Sequence, residues 1–268
     1  MIPKVIHYCW FGRKALPESA RRCIESWRRF FPDYEIRQWN EDNFDVNAIR
    51  YTREAYEAQK YAFVSDYARF KILYEHGGIY FDTDVEVIKP FDDILVQGPF
   101  MGLETNPVFK DGEGSLGQQI VSSGSINPGL GLAATPGLGI YKAILDKYDA
   151  LRFKGADGAL CLTTVVQYVT SVFIDKGLEV KPGIMEFSGV RIYPIDYFNP
   201  KRFDGRIVTT PNTHSIHHYT ASWYSTKQRI VMWIIKHIGL WPGRAVSLLW
   251  NNPLKIAPRI IRFMQVGK

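Results

Sequence analysis

Two acids separated by one residue, Asp82-Thr83-Asp84, directly follow the short apolar run Ile79-Tyr80-Phe81. A carboxylate pair at a strand end sits where α/β folds place ligands. In extended chain, side chains i and i+2 share a side, so both carboxylates can reach one point. Their mutual repulsion is relieved by a bound dication, and an all-oxygen set favours Mg²⁺ or Mn²⁺. The bland alternative is a solvated turn. Asp66 and Arg69 lie three apart on an expected helix and share its face. On periodicity alone they would be a surface ion pair contributing at most ~1 kcal/mol. Their position just upstream of the acidic pair, among Phe63, Phe70 and Leu73, favours a carboxylate and a guanidinium that grip a polyol and a phosphate. In Ser215-Ile216-His217-His218-Tyr219, adjacent strand histidines point opposite ways, so one of them can face a given site. An imidazole beside two carboxylates tilts the choice toward Mn²⁺. Trp10, beside Gly12, is either a core residue or a platform for a planar base.

The elements that must position these groups follow from the pattern. Residues 4–11 read as a mostly buried strand. Pro17 opens a helix to about Phe31 with Ala20, Ile24, Trp27 and Phe31 on one face, and residues 34–39 read as a second strand. Strand, helix and strand in that order make a βαβ unit with a parallel pair and a right-handed crossover. A helix over about 61–75 stops at Gly77-Gly78, and the alternating 85–88 continues the chain after the acidic pair. Glycine and proline in 104–118 predict a mobile loop, and those in 124–139 a segment that wraps a pocket. Further helices are expected at about 138–149 and 158–175, late strands at 191–193 and 215–219, and helix after Ser222.

With 268 residues, 46% hydrophobic, the chain can bury a large core, which excludes disordered and collagen-like classes. Cys9, Cys23 and Cys161 form no CxxC, which argues against a zinc ribbon or a disulfide framework and fits a reducing compartment. No leader pattern is visible at the N-terminus. Charge is uneven: nine of 33 basic residues lie from Arg206 onward, where no acid follows Asp204, leaving 24 against 27 acids before it. Apolar runs such as 230–235 interleave with these cations, as in a helix lying in a bilayer interface, and they are too short to span one. A peripheral membrane contact is therefore preferred over nucleic acid, for which no module motif is present. The expected division is a domain over 1–224 and a basic amphipathic tail over 225–268.

Three segments together resemble a known family: residues 2–12, 62–69 and 73–84, joined by the late residues 217–223. The combination S-D-x-x-R, G-G-x-Y-x-D-x-D and H-H-x-x-x-S-W is similar to that of the DXD-containing glycosyltransferases of family 32, of capsular polysaccharide synthesis type. More distantly it resembles the glucosyltransferase domain of the large clostridial toxins. The resemblance is dense over the first 95 residues, patchy beyond, and absent in the tail. It implies an α/β fold of GT-A type, a Rossmann-like mixed sheet flanked by helices. It implies retaining transfer of a hexose from a nucleotide sugar, UDP-hexose first and GDP-mannose second, to a glycan or lipid-linked oligosaccharide at the inner membrane face. By motif match, Trp10 stacks on the nucleobase and Asp66 and Arg69 hold sugar hydroxyls and orient the phosphate. Tyr80 lines the substrate site, Asp82 contacts ribose, sugar or metal-bound water, and Asp84 ligates the metal. His217 or His218, with His217 preferred, completes its shell, and Ser222 and Trp223 close over the diphosphate. The rivals are a glycoside hydrolase with Asp82 and Asp84 as its acid–base pair, active in chelator, and a non-catalytic carbohydrate- or membrane-binding module.

Overall fold

The computed structural model describes residues 1–111, 118–202 and 205–220. Met1–Lys201 with Ile207–Thr220 forms one compact unit. The proposed basic tail, Ser222 and Trp223 lie outside the described residues.

The first strand, β1 (Val5–Cys9), leads through helix α1 (Glu18–Phe30) into β2 (Glu35–Trp39). The two strands pair in parallel, His7 opposite Arg37, as the βαβ reading requires. Helix α2 (Arg50–Glu57) precedes α3 (Tyr61–His76), which ends at Gly77 with φ +64° before β3 (Gly78–Tyr80). At Gly77 a Cβ would lie 2.7 Å from Pro136 and 2.9 Å from the Ala134 carbonyl, so only glycine turns the chain there. β3 pairs in parallel with β1 and antiparallel with β9 (Leu132–Ala134). The main sheet is completed by β5 (Phe100–Thr105), β8 (Ser125–Asn127), β10 (Met185–Phe187) and β11 (Val190–Tyr193). Its order is β10-β11-β5-β9-β3-β1-β2, with β8 also on β5. This is a Rossmann-like mixed α/β sheet of the expected kind.

Alternating side chains divide the sheet into two apolar layers. Ile79 and Phe81 pack with Ile6, Tyr8 and Trp27 of β1 and α1. Tyr80 packs on the other face with Phe63, Phe70 and Leu73 of α3, joined by α5 (Gly139–Asp149) and α6 (Val165–Asp175). Helix α3 is buried on most of its circumference, including Asp66 and Arg69.

Two expectations are corrected. Within 104–118, the chain forms β6 (Val108–Asp111), which pairs antiparallel with β7 (Gln118–Ser122), so strand stands in part of the predicted loop. The second late helix starts at Val165 and not near 158, because Thr164 caps it. The Thr164 hydroxyl accepts from Gln167 N, and Gln167 Oε1 accepts from Thr164 N. The strand after the acidic pair, β4 (Val85–Val87), leaves the main sheet and pairs antiparallel with β12 (Ser215–His217). Helix α4 (Asp92–Leu95) and the short α7 (Ile195–Phe198) pack beside them. Among the described residues, no helix is long and apolar enough to cross a membrane.

Candidate functional site

The site lies past the carboxyl end of β3, next to its parallel neighbour β1. Burial puts Tyr80 on the α3 face, and Asp82 follows on the same side. The Tyr80 hydroxyl donates to Asp82 Oδ1 at 3.1 Å. Arg69 rises from α3 to meet both acids. Its Nη2 donates to Asp66 Oδ1 at 2.8 Å and stands 3.3 Å from Asp82 Oδ1, while its guanidinium covers the Tyr80 ring at 5.0 Å. Arg69 is 3% exposed. The surface ion pair that helical spacing alone allowed is therefore excluded, and what stands in its place is a carboxylate–guanidinium–carboxylate triad in which Asp66 and Arg69 are buried and Asp82 is half-buried.

Its electrostatics separate the acids. Burial pushes the Asp66 carboxyl up to about 7, a rise that Arg69 opposes and Asp82 reinforces. Asp82 also suffers from burial, yet Arg69, His217 and Tyr80 together hold it below the ordinary carboxylate range. An ionised Asp82 is the opposite of the apolar-walled, proton-bearing acid that a glycosidase needs from it.

Asp84 reaches the same place by a route other than strand alternation. The backbone turns between the acids, with Val85 N donating to the Asp82 carbonyl at 3.0 Å. The carboxylate of Asp84 then swings toward β12. Thr220 N and its hydroxyl donate to Asp84 Oδ2 at 2.8 and 3.0 Å, and His218 N donates to the Asp84 carbonyl at 2.9 Å. The β4–β12 register sets His217 opposite Val85, with its Nε2 3.2 Å from Asp84 Oδ1 and 3.9 Å from Asp82 Oδ2. The neighbouring His218 points away, to Glu86 Oε2 at 2.8 Å, as adjacent strand residues must.

Asp82, Asp84 and His217 each offer one donor atom, all within 4.8 Å of one another. Two oxygens and a nitrogen fit a divalent cation of Mg²⁺ or Mn²⁺ size, whose neighbouring ligand atoms stand about 3 Å apart. Burial opposes charge on His217, but Asp84, Asp82 and Glu104 outweigh it and raise its pKa. A cation would take the place of that proton. The other ring nitrogen, Nδ1, is buried without a partner.

Trp10 is half-buried at the carboxyl end of β1, where its indole N–H donates to the Lys14 carbonyl at 2.6 Å. The backbone beside it is pinned. Gly12 N donates to Glu41 Oε1 at 2.6 Å, and at Gly12 (φ +94°) a Cβ would meet the Tyr61 ring at 2.4 Å. Residues that spacing did not single out also shape the site. A Cβ on Gly129 would lie 2.4 Å from Asp82 Oδ2, and Gly129 N donates to Asn127 Oδ1 at 2.7 Å. The Asn-Pro-Gly turn after β8 thus backs the first acid, a contact that only the β5–β8 pairing creates.

Residues 17–101 match the family model described as a glycosyltransferase sugar-binding region containing a DXD motif. That segment of the chain is similar to the sugar-binding region of the DXD glycosyltransferases. It is 30% identical over 118 residues to inositol phosphoceramide mannosyltransferase 1 of Schizosaccharomyces pombe, a match covering 40% of this chain and 35% of that protein. It is 34% identical over 110 residues to the uncharacterized glycosyltransferase L373 of Acanthamoeba polyphaga mimivirus, covering 37% and 42%. These matches span well under half the length of the curated relatives. A solved structure, the PaToxG glycosyltransferase, is similar at TM-score 0.45 and 18% identity, covering 66% of this chain and 70% of that one. In the matched segment the D-x-D motif is Asp82-Thr83-Asp84, and the same segment holds Asp66 and Arg69 but neither His217 nor Glu104.

Proposed function

We propose that this chain is a metal-dependent, retaining glycosyltransferase of GT-A type that moves a hexose from a nucleotide sugar to a glycan or lipid-linked acceptor. The observation that carries the reading is the convergence of Asp82, Asp84 and His217 beside the buried Arg69. Asp84 and His217 would hold a divalent cation, Mn²⁺ in preference to Mg²⁺ because of the imidazole, with Asp82 completing the set directly or through water. A bound dication supplies positive charge next to the departing diphosphate. Arg69 adds a fixed guanidinium, already desolvated and therefore needing little reorganisation when charge develops. Asp66, bonded to Arg69 and carrying a raised pKa, would accept or donate to a sugar hydroxyl. Trp10 would take the base on its exposed portion, and Tyr80 would line the site beneath the guanidinium. Ser222 and Trp223 would close over the diphosphate. The leaving group would depart with the acceptor hydroxyl attacking from the same face, and a trapped glycosyl-enzyme adduct would count against that course.

UDP-hexose is the first donor to test. The mannosyltransferase names of the S. pombe relatives give GDP-mannose a comparable claim. The division into a domain over 1–224 and a basic tail over 225–268, with the tail on an anionic membrane surface at the cytoplasmic side, rests on charge pattern. Capsular or other surface polysaccharide synthesis is the setting that this arrangement would serve. The deciding experiment is a thermal-shift screen of UDP- and GDP-sugars with and without Mn²⁺, since a ligand that binds the native state raises Tm. The expected result is stabilisation by one nucleotide sugar only when Mn²⁺ is present, abolished in Asp84→Ala. Equal stabilisation in chelator would sink the metal-dependent reading.

A further inference from the structure

The chain just before β12 carries a feature that the site does not use. Lys201 and Ile207 form an antiparallel bridge, and Val208 N donates to the Pro200 carbonyl at 3.0 Å, so two passes of backbone run side by side. In extended chain, successive side chains point to opposite sides. Ile207 is nevertheless 46% exposed and Val208 45%. Both sides of this pass therefore face solvent, and neither packs on the body of the fold. Exposure continues through 209–212, and burial resumes at Thr213. Charge is one-sided as well. Between residues 197 and 220 the basic side chains are Lys201, Arg202 and Arg206, against Asp204 as the one acid. The base of the pass is fastened to the strand that carries His217. The Lys201 ammonium donates to the His218 carbonyl, and His218 N donates to the Asp84 carbonyl at 2.9 Å.

A lone exposed aliphatic side chain is ordinary, whereas two in succession among three cations form a pattern with a matching partner. Two aliphatic side chains are too little for a lasting protein interface, which buries roughly 1,000 Å² or more. A bilayer asks for no such shape match. Aliphatic tips enter its headgroup region while ammonium and guanidinium groups meet lipid phosphates, each cation adding attraction to an anionic surface. We propose that Ile207 and Val208, with the cations of Lys201, Arg202 and Arg206 beside them in the chain, form a contact for an anionic phospholipid surface. This contact is separate from the proposed basic tail over 225–268, and stable anchoring of a peripheral protein commonly combines two signals. It deepens the glycosyltransferase reading and rests on it only for what the surface delivers. Tied to the strand of His217, it would present the metal trio to an acceptor whose lipid stays in the bilayer.

The test is co-sedimentation of the full chain with vesicles of phosphatidylcholine alone and of equal parts phosphatidylcholine and phosphatidylglycerol. Wild type is expected to bind the anionic vesicles, and the double variant Ile207→Asp/Val208→Asp to bind them about tenfold more weakly. Leu162→Asp, which alters a comparably exposed aliphatic side chain (51%) on another loop, should bind like wild type. Arg202→Gln with Arg206→Gln should weaken the same binding, a loss that added salt narrows. Mn²⁺ affinity should stay within about twofold of wild type in every variant, because none of these residues touches the trio. Unchanged vesicle binding in the double variant overturns the proposal, and so does an equal loss in Leu162→Asp. A fall in Mn²⁺ affinity that matches the vesicle loss overturns it too, since the two residues would then act through the fold. Self-association of wild type that the double variant abolishes would assign the patch to a second copy of the chain, against the proposal. A chain that binds a nucleotide sugar with Mn²⁺ but no vesicles loses the contact and keeps the proposed function. One that binds vesicles through Ile207 and Val208 but no nucleotide sugar does the reverse.

Discussion

The site has two arms of different construction. One arm is contiguous: Asp66, Arg69, Tyr80 and Asp82 come from α3, β3 and the chain just beyond, and Arg69 and Tyr80 are buried to 3% and 1% exposure. The other arrives about 130 residues later as β12, attached to β4 through the register Ser215↔Val87, Ile216↔Glu86 and His217↔Val85. The first is held by packing and a shared guanidinium. The second is held by a short ladder and by the Thr220 and His218 amides on Asp84. Asp84 belongs to the first arm by sequence and to the second by hydrogen bonding, so it is the joint between them. A cation held by Asp82, Asp84 and His217 would therefore bridge the two arms.

Removing the joint should have the largest effect. Asp84→Ala deletes one donor atom and the partner of Thr220, and Mn²⁺ affinity measured by calorimetry should fall by more than about 100-fold. The contiguous arm should respond in stability. Arg69→Ala strands two acids beside each other, and urea unfolding should register a loss of about 3–5 kcal/mol. Asp66→Asn in the same background should restore part of that loss, and strict additivity would show the triad to be uncoupled.

The base of this arm carries a pH signature. His7, fully buried, stands with Nε2 3.0 Å from the Gly77 carbonyl and accepts from the Trp39 indole at Nδ1, 3.0 Å away. That pattern suits the neutral ring, and burial lowers its pKa from 6.5 to about 4. As pH falls below 6.5 the unfolded chain takes up the proton first. Stability is thus complete above 6.5 and declines until about 4, by about 3 kcal/mol. Relative to His7→Gln, wild-type stability followed by denaturant titration should drop across this window; parallel pH curves would refute the assignment.

Gly129→Ala should cost about 1–3 kcal/mol or displace Asp82, visible as weaker Mn²⁺ binding without loss of the Arg69–Asp66 pair. The smallest effect belongs to the late arm. Thr220→Val leaves the backbone amide in place and removes one hydroxyl bond to Asp84, so Mn²⁺ affinity should weaken by about tenfold or less.

How much of this could be read from the sequence divides along the same line. The contiguous arm was legible because its signals are local: a helix stopped by Gly77-Gly78, acids just past a short apolar strand, and Asp66 and Arg69 on one helical face. Burial of that face was not, since α3 is apolar on most sides and its periodicity does not say which polar residues are enclosed. His217 is preferred over His218 on the motif match, and the β4–β12 register is what turns it, and not His218, toward Asp82 and Asp84. The segment 124–139 reads as wrapping a pocket, but the individual approaches of Glu104, Asn127 and Gly129 depend on the pairing of β5 with β8 and on a turn that lies next to Asp82 only in the folded chain. The one available signal was an acid at the end of an otherwise apolar strand.

The two-stranded ribbon of β4 and β12 has one further consequence. The β4 groups facing away from β12 are met by side chains of α1: the Trp27 indole donates to the Val85 carbonyl at 2.8 Å, and Val87 N donates to Ser26 Oγ at 2.9 Å. An open strand border normally invites extended chains from other molecules to add to it. Here the first helix of the fold occupies the β4 border, so that side of the ribbon can carry its carboxylates near solvent without becoming a template for self-association.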